Sequence, residues 1–261
     1  MWNGKDVSVV LMTYAERDSI REVIDGFFTT GVVDEVVVVD NNAAPGTAEE
    51  VARTRARLVH ESLQGYGHAT RRGLEAATGD LVVISEPDGT FLPSDIVKLL
   101  VYSGECDVVF GTRTTRELIW ADANMDWVLR WGNWAVAKLI EVLFNTNHLS
   151  DVGCTYRVLR RPLAQHVARN MRVGGSHAGV EVMLLAITAG ARSVEVPLNY
   201  LPRVGASSVT GKRLVAIKVG LQMIGVILRF RWAAPRRPAR PPAFVAERPP
   251  RGDEAREQLP L

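Results

Sequence analysis

The chain has 261 residues, a formal net charge of +2 and 47% hydrophobic side chains, enough for one large domain or two small ones around a substantial core. That balance argues against nucleic acid as the main partner. Cys106 and Cys154 form no metal-like or redox-like pair, and the five histidines lack ligand spacing, so ordinary thiols in a cytosolic chain and structural histidines are expected.

Residues 7–12 (VSVVLM) are the near-continuous apolar run of a strand buried in a parallel sheet, and the run is too short for a signal peptide. A polar turn at 13–18 leads into a helix to about Phe28. The pattern repeats at 35–39, where a strand ends on Asp40-Asn41-Asn42, a Pro-Gly turn follows and a helix starts near Thr47. A short strand at 57–59 precedes a loop loosened by Gly65 and Gly67 and a helix to about Ala77. A dinucleotide fingerprint fails here, because no third glycine stands at the required place and the preceding strand is the wrong one.

Residues 81–91 (LVVISEPDGTF) are the stretch around which the chain is organised. Four apolar residues run straight into Glu86 and Asp88, with Pro87 fixing φ between them and Gly89 allowing a sharp exit. Two hard oxygen donors at the carboxyl end of a buried strand suit a divalent cation, which can in turn hold a diphosphate. Taken alone, the same residues would make an ordinary solvated turn. A helix at 94–102 and a strand at 107–110, closed by Gly111-Thr112-Arg113, complete the first 113 residues. Strands alternating with helices imply right-handed βαβ units in an open, mostly parallel sheet with helices on both faces. Ligands of such sheets lie outside the carboxyl ends of the strands, where Thr13, Asp40, Glu86, Asp88 and Arg113 converge.

Between 117 and 150 the character changes. Trp127, Trp131 and Trp134 have the spacing of one helix face, and on a wheel they flank a narrow polar stripe of Asp126, Arg130, Asn133 and Glu141. Such a helix suits a membrane interface, burial against the sheet or a dimer contact. Residues 150–161 (SDVGCTYRVLRR) start on an acid and return to a strand-like run. Helices are expected at 162–170 and 178–189, then a strand at 193–196. The loop 201–213 (LPRVGASSVTGKR) is basic and rich in hydroxyls, suited to a phosphate and equally readable as a solvated loop. A last apolar helix at 214–228 is flanked by arginines. Its uncharged stretch, 219–228, is half of the roughly 20 residues a spanning helix needs. The expected domain covers residues 1–232, divided at 113/114 into a nucleotide-sugar half and an acceptor half with the amphipathic helices. Residues 233–261 hold seven of the thirteen prolines and read as a disordered tail.

In this order the motifs resemble the family 2 glycosyltransferases of GT-A fold, most closely the branch that makes dolichyl- and polyprenyl-phosphate sugars, over residues 7–218. VLMTYAERDSI resembles the opening strand and donor loop, which implies Tyr14 and Glu16 near the nucleotide, beside Thr13. VVVDNNAAPGT resembles the second segment, implying Asp40 at the nucleobase and Asn42 among the donor contacts. SEPDGTFLPSDI resembles the acidic metal motif, and FGTR, SDVGCTYR and VPLNYLPRVGASSVTGK resemble later blocks. Met12, Asn41 and Glu86 stand where the family often has proline, aspartate and aspartate.

The resemblance implies an inverting transfer from a nucleotide sugar, with Mg²⁺ or Mn²⁺ at Glu86 and Asp88, and with Arg113, Arg203, Ser207 and Lys212 steadying phosphates. A polyprenyl phosphate acceptor needs no general base; for a hydroxyl acceptor, Asp151 is the motif's candidate. The chain is expected in the cytoplasm, peripheral to the inner face of the membrane, with a homo-oligomer or a membrane-protein partner left open. Two rival readings stand beside this one. One is a soluble transferase acting on a small molecule or glycan, and the other is a nucleotide-sugar-binding protein without catalysis. Neither the base nor the sugar is legible, and GDP-mannose and UDP-glucose both remain open.

Overall fold

A computed structural model describes residues 1–121, 123, 127–205 and 213–233, without the side chains of residues 127–129, 213, 214 and 216. Ser207, Lys212, Asp126 and the segment expected to be a disordered tail, apart from its first residue Ala233, lie outside the described residues. Seven strands, β1 (Val7–Thr13), β2 (Glu35–Asp40), β3 (Arg57–His60), β4 (Leu81–Ser85), β5 (Val108–Thr112), β6 (Arg157–Arg160) and β7 (Ser193–Pro197), form one sheet in the order β3-β2-β1-β4-β6-β5-β7. The first four pair in parallel, with Val9 opposite both Val36 and Val83. This is the doubly wound arrangement that the strand-helix alternation predicts.

Valine and isoleucine dominate the central strands because both sheet faces are covered, yet the period of two survives within them. Val10 and Met12 of β1 meet one face, with α3 (Tyr66–Ala76), α5 (Trp127–Phe144), α6 (Arg161–Asn170), α7 (Ala178–Thr188) and α8 (Arg213–Ala233) contributing to that core. Val7, Val9 and Leu11 meet the other, under α1 (Arg17–Thr29), α2 (Thr47–Ala52) and α4 (Ile96–Val101). Gly73 permits α3 to lie directly on the sheet, since a Cβ there would stand 2.1 Å from a Val10 methyl.

β6 alone runs against its neighbours β4 and β5. The chain leaves β5 at the carboxyl edge, travels through α5 and residues 145–156 at that same edge, and re-enters the sheet from there. β6 therefore runs backwards, and the excursion keeps residues 150 and 151 beside the carboxyl end of β5 and beside β7. The strand-like reading of 150–161 shortens accordingly to Arg157–Arg160. Residues 150–153 are drawn out of the sheet by side-chain hydrogen bonds, as is typical where Ser and Asp compete with a ladder.

Candidate active site

The acidic turn is held from three sides. Asp88 is fully buried, and its Oδ1 accepts the Thr90 amide at 2.9 Å and the Thr90 hydroxyl at 2.6 Å, a local turn fixed by its own side chains. Gly89 supplies the positive φ of 76° that the turn requires. From α1, the Ser19 hydroxyl donates to the Pro87 carbonyl at 2.6 Å. Asp88 Oδ2 is buried and is paired directly with the Arg203 guanidinium. Burial and the neighbouring Asp88 carboxylate push Glu86 up to about 8. Two crowded carboxylates that share one guanidinium with Glu16 fit a divalent cation better than they fit each other. No group of three or more His, Cys, Asp or Glu among the described residues makes a closed metal cage. A cation here would keep open positions for a diphosphate.

At the end of β1, the Glu16 carboxylate accepts the amides of Tyr14 at 2.8 Å and Ala15 at 2.9 Å and so shapes the loop before α1. Tyr14 stands exposed above it. Across the gap, Asp40 Oδ1 accepts the Ala43 amide at 2.8 Å, and Ala44 donates to the Tyr14 carbonyl at 2.7 Å. Asn42 adopts a left-handed φ of 57° and donates to the Gln64 side chain at 2.9 Å. The ends of β1 and β2 thus form one rim, with Thr13, Tyr14, Glu16, Asp40 and Asn42 all on it.

Arg113 and Asp151 meet directly. The guanidinium donates through Nε at 2.8 Å and Nη2 at 3.0 Å to the two carboxylate oxygens, and the Arg113 amide adds a third bond at 3.1 Å. Asp151 is nearly fully buried. Burial alone would raise its pKa, but the Arg113 charge and these hydrogen bonds hold it below the ordinary carboxylate value. Those surroundings are the opposite of a proton acceptor's: the carboxylate is an anchor for Arg113, whose guanidinium lies 5.1 Å from the centre of the Tyr200 ring. Glu195 supports the pair from β7. Its carboxylate accepts the amide and hydroxyl of Ser150, both at 2.7 Å, and the Asp151 amide at 3.2 Å. Sequence reasoning missed Glu195 and Tyr200; the one signal for Glu195 was a carboxylate between Val194 and Val196 of an apolar strand.

The model of glycosyl transferase family 2 matches residues 8–168. The chain belongs to that family. An uncharacterized glycosyltransferase of Mycobacterium tuberculosis is 31% identical over 208 residues, 78% of this chain and 89% of the relative. A dolichyl-phosphate hexose transferase of Haloferax volcanii is 30% identical over 203 residues, 77% of this chain and 85% of the relative. Among solved structures, the glucosyl-3-phosphoglycerate synthase of M. tuberculosis, solved with Mn²⁺, uridine diphosphate and phosphoglyceric acid, superposes with a TM-score of 0.66 at 19% identity. That match covers 89% of this chain and 80% of the synthase. The shared architecture is the GT-A fold.

Two departures of this family 2 glycosyltransferase from the common pattern have different physical meanings. Asn41 is buried and works as a clasp. Its amide nitrogen donates to the carbonyls of Glu61 and Leu63, each at 2.8 Å, and its oxygen accepts the Gly65 amide at 2.8 Å. Aspartate could not donate. Asn41→Asp is expected to cost about 2–3 kcal/mol, because two carbonyls lose donors and face a charge instead. Thermal denaturation checks this, and an unchanged melting temperature would contradict the clasp. Glu86, by contrast, retains its charge type at the acidic turn and remains a potential oxygen ligand.

A residue of the SDVGCTYR block given no role by sequence reasoning is Arg157, fully buried in β6. It donates to the carbonyls of Cys154 at 2.9 Å, Gly179 at 2.5 Å and Val152 at 3.3 Å, tying the 150–154 excursion to α7.

Proposed function

We propose that this enzyme transfers a sugar, with inversion, from a nucleotide sugar to a polyprenyl phosphate at the cytoplasmic surface of a membrane. The observation that carries the acceptor assignment is the orientation of α5 and α8, which pack on one another beside the site. Two polar side chains of α5 turn inward: Asn133 lies against Gly153, next to the Arg113 guanidinium, and Glu141 accepts the Leu149 amide at 2.5 Å. Val136, Ala137 and Ile140 of α5 pack into the core, whereas Trp131, Trp134 and Val142 turn outward. Trp131 is 56% and Val142 80% exposed, joined on α8 by Leu221 at 65% and Trp232 at 82%. Exposed tryptophan and aliphatic residues interspersed with Arg229, Arg231 and Lys218 suit an anionic lipid interface. Among the described residues no helix is long and apolar enough to cross a membrane, so lipid would be met at its surface. The similarity to a dolichyl-phosphate hexose transferase adds weight.

In this reading Glu86 and Asp88 hold Mg²⁺ or Mn²⁺ against the donor diphosphate. When bound, such a cation takes up the negative charge of the departing nucleoside diphosphate. The rim of Thr13, Tyr14, Glu16, Asp40 and Asn42 receives the nucleoside. Arg113, fixed by Asp151 and Glu195, and the segment of Arg203, Ser207 and Lys212 receive phosphates. A phosphate acceptor is already anionic, so its oxygen attacks the anomeric carbon without a general base, in keeping with the occupied state of Asp151.

The deciding experiment presents labelled GDP-mannose and UDP-glucose, within a wider donor panel, to undecaprenyl and dolichyl phosphate in detergent, with and without Mn²⁺. Metal-dependent label in the lipid phase is expected. Donor binding without lipid label would transfer the assignment to a water-soluble acceptor. Independently, Trp131→Ala with Trp134→Ala is expected to weaken binding to anionic vesicles by at least about tenfold in a flotation assay while leaving nucleotide binding intact.

A further inference from the structure

Three carboxylates from two separate segments converge on one guanidinium. Arg203 reaches Glu16 Oε1 at 3.6 Å and Glu86 Oε2 at 3.3 Å, and it also pairs with Asp88 Oδ2. Its side chain is mostly enclosed. The loop that carries it is latched onto the acidic turn by backbone bonds: Leu201 donates to the Thr90 carbonyl and Val204 to the Asp88 carbonyl, both at 2.9 Å. Val204 also packs on Gly89, a methyl lying 3.2 Å from where a Cβ would stand. The guanidinium therefore occupies the Asp88 oxygen that the Thr90 turn leaves free.

We propose that Arg203 is a built-in counter-ion of the acidic turn, holding the place of the divalent cation until cation and nucleoside diphosphate arrive together, and then turning to the diphosphate. This rests on the reading of Glu86 and Asp88 as the metal-binding turn. A tethered guanidinium competes at high effective concentration, so a bare cation must break its ion pairs and leave it without a partner. A cation that brings a diphosphate supplies that partner, because two phosphate oxygens accept a guanidinium in bidentate fashion. One side chain would thus select the metal–nucleotide complex over free metal and keep the empty carboxylate cluster neutralised.

The test is Mn²⁺ binding by the full chain, read from the electron paramagnetic resonance signal of free Mn²⁺, for wild type, Arg203→Gln, Arg203→Lys and Asp88→Asn. Each is titrated alone and with UDP or GDP, and each is checked for folding by circular dichroism. Arg203→Gln is expected to bind Mn²⁺ alone about tenfold more tightly than wild type, the size of one partly buried ion pair. Arg203→Lys should stay near wild type. The gain in Mn²⁺ affinity on adding nucleotide should be large in wild type and smaller in Arg203→Gln. Uptake that depends on Asp88 but is not strengthened in Arg203→Gln would overturn the counter-ion role while leaving the metal turn standing. Uptake indifferent to Asp88→Asn, or absent throughout, would overturn both.

Discussion

Asp88→Asn is expected to lower the turnover number for sugar transfer by about a thousandfold, the scale of losing a leading electrostatic contact to the developing charge. The substitution is close to isosteric, and its retained oxygen can still accept the amide and hydroxyl of Thr90. The fold should therefore survive, with a melting temperature lowered by a few degrees because Arg203 keeps Glu16 and Glu86 as partners. What changes is the buried Oδ2, the oxygen paired with Arg203 rather than with Thr90. An amide there supplies no charge to a cation and turns donors toward Arg203. Initial rates at saturating Mn²⁺, with circular dichroism alongside, check the prediction. Turnover within tenfold of wild type would mean that Asp88 does not hold the catalytic cation.

Asp151→Asn acts differently: its largest effect falls on stability. The Arg113 guanidinium and Asp151 are both enclosed, and removing one charge strands the other, at a cost of about 3–5 kcal/mol. For a chain of this size that lowers the melting temperature by about 10 °C. The pH dependence has a definite sign. Folding depresses the Asp151 pKa below its ordinary 3.8, so the stabilisation is complete above that value and is lost as pH falls through the folded pKa. Acid unfolding of the wild type should therefore include a component that Asp151→Asn lacks. At permissive temperature the variant is expected to keep measurable transfer to a phosphate acceptor, because Asp151 holds Arg113 and accepts no proton. Loss of turnover by about a thousandfold in a fully folded variant would instead restore Asp151 as a general base.

The valine-rich runs at 7–13, 35–40 and 81–85 determined a buried parallel sheet, since only a sheet covered on both faces makes such runs favourable. Carboxylates at or soon after the ends of those runs pointed to one edge as the proposed ligand site, because strand ends in such sheets share one edge. The acidic turn was legible for the same local reason: Pro87, Gly89 and Thr90 shape it with contacts to immediate neighbours.

What the sequence could not contain was any contact made across long separations. The reversed direction of β6 follows from the edge at which the chain re-enters the sheet. The pairing of Arg113 with Asp151 spans 38 residues, and that of Arg203 with Asp88 spans more than a hundred. Asn41 looked like a weakened acidic motif until its amide was found bonded to the backbone of residues 61 and 63. Sequence periodicity placed the tryptophans of α5 beside a polar stripe but carried no sign for which arc faces the protein. That sign is set by Gly153, Leu149 and the packed partner α8, and it turned Asn133 and Glu141 in and Trp131 and Trp134 out. Local chemistry fixed which residue types stand at the strand ends, and tertiary structure alone decided which of them neutralise one another and which remain open to a ligand.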